Sequence, residues 1–271
     1  MEKLQAALET ARRSRAGEGP SSDGPRAGRP VPGARAGGES LDALWRGLAP
    51  FELDGALLER NRIVTRDATT AGAPFDILRT KVLLQMRQNG WRRLAITSPM
   101  PQSGKTTTAC NLALALGRQH DVRTLVFDLD LRDPSIHRLL QVRPERGIGA
   151  VLTGEADFAD QAMRYGDNVA FSMALAPEAD PARLLLAEET AQVLDRIEAR
   201  YRPDVVIFDL PSVLVNDDTR AFLKNSDCAL IVARANATRY AHFDTCEREI
   251  TEHTNVLGVV LNADRQVRRG S

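Results

Sequence analysis

Gly104-Lys105-Thr106 stands between a turn rich in Pro, Ser and Gly and a helix-forming run whose apolar residues continue through Leu112, Leu114 and Leu116. Residues of those types in that setting bind phosphate. Backbone N–H groups of a loop that opens a helix converge on an anion and complement its charge. A lysine there is a compact cation for the outer phosphates of a nucleotide. A neighbouring threonine hydroxyl can enter a magnesium shell. Pro101, Gln102, Ser103, Gly104, Lys105, Thr106 and Thr107 are therefore the candidate nucleotide contacts. Pro99 replaces the usual first glycine of such a loop, and Gly-Lys-Thr alone also describes an ordinary helix start with a solvated lysine. Two further stretches tip the balance. Thr124-Leu-Val-Phe-Asp-Leu-Asp-Leu-Arg-Asp-Pro134 delivers Asp128 and Asp130 after an apolar run, and Val205-Val-Ile-Phe-Asp-Leu-Pro-Ser212 delivers Asp209. A Lys–Thr pair and three carboxylates, each at the end of an apolar strand, point to a magnesium nucleotide site.

These residues need a sheet to hold them. Leu94-Ala95-Ile96 reads as a buried strand leading into the loop, and further strands are predicted at 123–128, 168–173, 204–209, 228–233 and 256–261. Helices are predicted at 74–88, from the loop to about Arg118, at 134–140, 148–152, 187–201, near 219–224 and at 241–253. Pro74 suits a first helical turn, and Gly90 suits a helix end. Apolar strands alternating with helices mean an α/β fold with a mostly parallel sheet covered by helices on both faces. With the phosphate loop, that is a P-loop NTPase. Ligands of such sheets lie beyond the carboxyl ends of the strands, where Lys105, Asp128, Asp130 and Asp209 all map.

Three regions are expected. Residues 1–40, rich in Gly, Pro, Arg, Ser and Ala, read as a disordered arm or linker, with a short amphipathic helix conceivable over residues 1–13. Residues 41–72 read as a short helical lead-in: Leu41, Leu44, Trp45 and Leu48 recur at helical spacing, on a helix that docks onto the domain or onto a partner. Residues 73–271 form the nucleotide-binding domain. Lys and Arg total 36 and so do Asp and Glu, so the net charge of zero argues against nucleic acid as a partner. No apolar run is long enough to span a bilayer, and Met1-Glu-Lys-Leu-Gln lacks a signal peptide's apolar core; the expected location is cytoplasmic. Cys110, Cys228 and Cys246 share no metal-ligand spacing and read as buried thiols. The four histidines are scattered, with no role assigned.

With these residues in hand, residues 70 to 264 resemble the bacterial tyrosine kinases of capsule and exopolysaccharide synthesis, relatives of partition-type ATPases. Ser98-Pro-Met-Pro-Gln-Ser-Gly-Lys-Thr-Thr107 stands for Walker A, Leu125-Val-Phe-Asp-Leu-Asp-Leu-Arg132 for the additional Walker A′, and Val206-Ile-Phe-Asp-Leu-Pro211 for Walker B. Asp-x-Asp-x-Arg is the most specific of the three. The resemblance implies ATP and Mg2+ as cofactors and Lys105, Asp128 and Asp130 as the catalytic set. Lys105 holds phosphate, Asp128 is the base or the metal-organising carboxylate, and Asp130 supports it. Thr106, Asp128 and Asp209 are the metal candidates. Asn262 either contacts adenine or simply ends the last strand.

The chain departs from that family in three places. Its tail, Asp264-Arg-Gln-Val-Arg-Arg-Gly-Ser271, has no tyrosine; its tyrosines are Tyr165, Tyr201 and Tyr240, of which Tyr201 reads as core and Tyr240 as exposed. The ring-forming Glu-x-x-Arg-x-x-Arg helix of the family aligns with Ala73, Asp76 and Arg79, so a ring of that type is doubtful, though an ATP-dependent homo-oligomer stays open. No transmembrane domain is fused, so the implied partner, a membrane-embedded polysaccharide co-polymerase or chain-length regulator, is expected as a separate chain that recruits this one to the inner membrane face. Three functions follow. One is an ATP-dependent kinase acting on tyrosines of a partner. Another is an ATP-switched regulatory module without kinase activity. A partition or positioning ATPase is disfavoured, because the extra loop lysine of that class falls at Met100.

Overall fold

Strands β2 (Arg93–Thr97), β3 (Thr124–Asp128) and β6 (Val205–Asp209) are short apolar runs rich in β-branched and aromatic residues, and β3 and β6 are buried along their whole length. Strands buried on both faces need helices above and below, and the chain supplies them in alternation. The computed structural model describes residues 40–263. The expected arm before residue 40 and the tyrosine-free tail from Asp264 lie outside them.

The remaining strands are β1 (Ala49–Pro50), β4 (Met163–Tyr165), β5 (Val169–Ser172), β7 (Cys228–Arg234) and β8 (Asn255–Asn262). Together they make one eight-stranded sheet in the order β1-β4-β5-β3-β6-β2-β7-β8. Every pairing is parallel except β4 with β5. This is the mostly parallel α/β sheet of a P-loop NTPase. β6 lies between β2 and β3, in a register that sets Asp209 beside Asp128 on one side and Ile96 on the other. The three strand ends that carry the site are thus neighbours.

The lead-in is fastened to this sheet. Ser40 caps helix α1 (Leu41–Gly47), its Oγ accepting from the Ala43 N–H. Trp45 is 1% exposed, and its Nε1 donates to the Tyr201 carbonyl at 2.8 Å. Its ring meets Tyr201 edge-on at 6.2 Å. The small helix therefore docks onto the domain. Helix α2 (Gly55–Arg60) follows. Then Asn111, in the helix after the phosphate loop, clamps residues 62–65. Its Oδ1 accepts from the Val64 N–H and the Thr65 hydroxyl, and its Nδ2 donates to the Arg62 carbonyl. β1, α2 and the short β4 escape sequence reading because runs this brief carry no periodicity.

Helix α3 (Ala73–Asn89) has Pro74 in its first turn and ends at Gly90 with φ 68°. Val82 and Met86 face the core, while Ile77 and Leu84 face solvent. Asp76 accepts from both Arg79 and Arg118, and Arg79 also donates to the Ala115 carbonyl. The acidic residue that breaks the family's charge pattern is thus paired within its own chain. The three cysteines are buried free thiols, and burial raises all three of their pKa values. No described helix is long and apolar enough to cross a membrane.

Candidate active site

The phosphate loop is held open by its own hydroxyls and by the end of β8. Ser98 and Ser103 both donate to the Met100 carbonyl, at 2.9 and 2.7 Å. Asn262 Nδ2 donates to the Ser103 carbonyl at 2.9 Å. Gly104 has φ 88°, and a Cβ there would collide with Asn262 Nδ2. Glycine is required at this position for both its backbone conformation and its bareness. The side chain of Asn262 thus reaches the loop itself. Pro101 and Gln102 lie exposed at the loop tip, with Gln102 at φ 59°, while Ser103 is buried beneath it.

Helix α4 (Lys105–Gly117) starts at the lysine. Lys105 Nζ lies 2.8 Å from Asp130 Oδ2, and both side chains are largely buried. Burial alone would lower the lysine's pKa, but Asp209, Asp130 and Asp128 outweigh it and hold the ammonium above its usual range. Asp128 and Asp209 are fully buried. Asp128 Oδ2 accepts from the Ser135 and Ile136 N–H groups at 3.2 and 3.1 Å, and its Oδ1 has no partner. Neither oxygen of Asp209 makes a hydrogen bond of ordinary geometry. Burial, then the charge of Asp209, pushes Asp128 well above the carboxylate range. Burial also lifts Asp209 to about 7, against the pull of Lys105 and the nearby Thr106 hydroxyl.

Ser135 Oγ donates to Thr106 Oγ1 at 3.1 Å, tying helix α5 (Ile136–Leu140) to the loop. A cleft of about 400 Å³ opens between them. Gly104, Lys105, Thr106 and Thr107 form one wall, and Asp133, Ser135, Arg138 and Leu139 the other, with Asn61 arriving from the lead-in. Asn61 Nδ2 donates to the Leu139 carbonyl at 2.6 Å. Among the described residues no three His, Cys, Asp or Glu side chains form a cage for a bare ion. What exists instead is a hydroxyl and unpartnered buried carboxylate oxygens. That set fits magnesium, which keeps waters and phosphate oxygens and takes one or two protein ligands.

Residues 94–269 match the CobQ/CobB/MinD/ParA nucleotide binding domain. The chain belongs to this family. Among curated proteins it is similar to Tyrosine-protein kinase YwqD of Bacillus subtilis (strain 168), at 26% identity over 217 residues, covering 78% of this chain and 89% of YwqD. It is also similar to Succinoglycan biosynthesis transport protein ExoP of Rhizobium meliloti (strain 1021), at 29% identity over 178 residues, covering 63% of this chain but 22% of ExoP. Among solved structures, the kinase domain of the Escherichia coli tyrosine kinase ETK superposes with a TM-score of 0.66 at 24% identity, covering 80% of this chain and 89% of that one.

In this CobQ/CobB/MinD/ParA nucleotide-binding domain, Asp128 and Asp209 end neighbouring strands β3 and β6, Asp130 follows β3, and Lys105 and Thr106 start the helix after the loop that leaves β2. Sequence reasoning passed over Asn61, Asp133, Ser135, Arg138 and Asp218. Ser135 and Asp133 flank Pro134 directly after the Asp-x-Asp-x-Arg stretch, a local signal that was available; Asn61 carried none. Asp218 is fully buried, and Arg132 clamps it with two hydrogen bonds, Nε to Oδ2 at 2.6 Å and Nη2 to Oδ1 at 2.9 Å. The pair ties the loop after β3 to the segment after β6. Arg132→Ala strands a buried carboxylate and is expected to cost about 2–4 kcal/mol. Urea unfolding measures this, and an unchanged midpoint would refute it.

Asp128→Asn is expected to raise the melting temperature of nucleotide-free protein at pH 8 while lowering turnover. An Asn oxygen can still accept from Ser135 and Ile136, and the variant no longer sets a charge beside Asp209. A gain on the order of 1 kcal/mol, or roughly 2–4 °C, is expected. The sign follows from raised folded-state values: the folded protein keeps protons that the unfolded chain has released. The stabilisation they give is therefore lost as pH rises from the unfolded value of about 3.9 through the Asp209 value of about 7. Melting curves from pH 5 to pH 8 should fall less steeply for the variant; parallel curves would contradict the assignment of charge.

Proposed function

We propose that this chain is an ATP-binding, magnesium-dependent, tyrosine-kinase-like protein that phosphorylates tyrosine on a partner in exopolysaccharide or capsule synthesis or export. One observation carries the reading: Lys105 and Thr106 line one cleft, Asp130 lies 2.8 Å from the Lys105 ammonium, and the fully buried Asp128 and Asp209 keep carboxylate oxygens without partners. That the relatives include YwqD, named a tyrosine-protein kinase, supports the choice of acceptor.

In this reading the backbone of residues 101–107 and the Lys105 ammonium bind the phosphates. Thr106, Asp128 and Asp209 would hold magnesium directly or through its waters, and magnesium there would supply charge neutralisation to the phosphates. Asp130 keeps Lys105 aimed into the cleft. Asp128, in its ionised form, accepts the proton of the attacking tyrosine hydroxyl. The new bond joins the tyrosine oxygen to the terminal phosphorus, and ADP leaves. Such transfer asks the protein mainly for positioning and charge neutralisation. Asn262 braces the loop and is the candidate contact for adenine. A separate membrane-embedded co-polymerase or chain-length regulator is the proposed partner. It would draw this chain to the cytoplasmic face of the membrane, and ExoP, named a biosynthesis transport protein, points the same way.

A second reading, an ATP-switched module without protein phosphorylation, draws on the tyrosines. The sequence holds Tyr165, Tyr201 and Tyr240; Tyr201 is 2% exposed, while Tyr240 is 53% exposed. Mass-spectrometric mapping of phosphotyrosine, with phosphate release followed in parallel, separates the two. Phosphotyrosine that requires Lys105 supports the kinase. Phosphate release with no phosphotyrosine on the chain or on membrane-partner fragments replaces it with the switch.

A further inference from the structure

Arg138 lines the same cleft as Lys105, outside every motif that marks the site. Its helix is not free to drift. The Ile136 and Ser135 N–H groups sit on Asp128, and Ser135 Oγ sits on Thr106, the hydroxyl at the helix start beside Lys105. Arg138 is thus carried on a support built from the site itself.

The charges explain what it could do there. Lys105 is already matched by Asp130 at 2.8 Å, with Asp128 and Asp209 behind it. A nucleoside triphosphate brings several negative charges, and magnesium offsets two of them. Of the neighbouring arginines, Arg132 is clamped on buried Asp218, and Arg234 donates to the Gln102 carbonyl. Arg138 and Lys105 are the cations among the residues lining the cleft. The partner of Arg138 is Asp133, at 2.5 Å, with side chains 57% and 79% exposed. An ion pair that exposed is weak and screened by salt, so it exchanges readily for a better anion. The planar guanidinium fork matches two phosphate oxygens at once, which an ammonium cannot do.

We propose that Arg138 leaves Asp133 when a nucleoside triphosphate binds and takes the terminal phosphate, supplying from the same chain the cation that stabilises charge on the transferring group. Asp133 is its resting tether. The inference rests on the nucleotide reading of the cleft, and the test keeps the two apart. Affinities for Mg-ATP and Mg-ADP are measured by calorimetry, with turnover, for wild type, Lys105→Ala, Arg138→Ala, Arg138→Lys and Asp133→Asn. Nucleotide binding by wild type that Lys105→Ala impairs supports the cleft reading; no binding by wild type removes both. Arg138→Ala should weaken ATP tenfold or more and ADP less than threefold, and lower kcat by tenfold or more at an unchanged melting temperature. Arg138→Lys should recover part of the loss, and Asp133→Asn should leave ATP affinity equal or higher. Equal effects of Arg138→Ala on ATP and ADP, or unchanged affinity and kcat, overturn the inference while leaving the cleft reading intact.

Discussion

Lys105→Ala is expected to lose at least about a hundredfold in ATP turnover and to keep its fold. A preorganised cation aimed at developing phosphate charge is worth on the order of 10²–10³ in rate when removed. In the proposed function Lys105 is that cation: it is largely buried, 2.8 Å from Asp130, and its charge is held by three carboxylates. Fold retention follows from the same surroundings. With the ammonium gone, Asp128 and Asp209, already displaced toward their protonated forms, can take up protons instead of standing as bare charges. The variant should therefore melt close to wild type at pH 5 and lower than wild type at pH 8. Steady-state phosphate release and melting curves at the two pH values check both halves. Wild-type turnover in Lys105→Ala would remove the site assignment.

Trp45→Ala is expected to destabilise the protein by about 3–5 kcal/mol, the range for emptying a buried tryptophan site. At roughly 2–4 °C per kcal/mol for a chain of this size, the melting temperature should fall by about 6–20 °C. The ring is 1% exposed and packs edge-on against Tyr201, and its N–H satisfies the Tyr201 carbonyl at the end of helix Glu188–Tyr201. Removing it opens a cavity and takes away the hydrogen bond that the indole N–H gives that carbonyl. Trp45→Phe should recover most of the packing and leave the lost hydrogen bond, about 1 kcal/mol. A calorimetric melt within 2 °C of wild type for Trp45→Ala would mean that the lead-in helix contributes nothing to the core.

The loop, both carboxylate-bearing strands and the helices between them were legible because their signals are local. An apolar run ending in Asp, or a turn ending in Gly-Lys-Thr, declares itself within ten residues. Tyr201 was readable as core from helical spacing alone, and Gly90 as a helix end from its type. Asn61 gave no local signal, and Trp45 was legible as part of a docking helix but not in what it docks against, because both contacts lie far along the chain: Asn61 with the Leu139 carbonyl and Trp45 with Tyr201.

By itself the sequence determined that this chain builds an α/β sheet, that a phosphate loop opens one helix, and that Asp128 and Asp209 end two strands with Asp130 just past the first of them. Sheet order was beyond it. Placing β6 between β2 and β3, in the register that sets Asp128 beside Asp209, is a non-local choice made by packing several apolar strands at once. That choice buries two carboxylates side by side and raises their proton affinity. It also brings Arg132 to Asp218 and puts Arg138 in the lining of the cleft that holds Lys105. Periodicity tells a residue which face of its own element it occupies; only the packed sheet tells it which residue of another element it will meet.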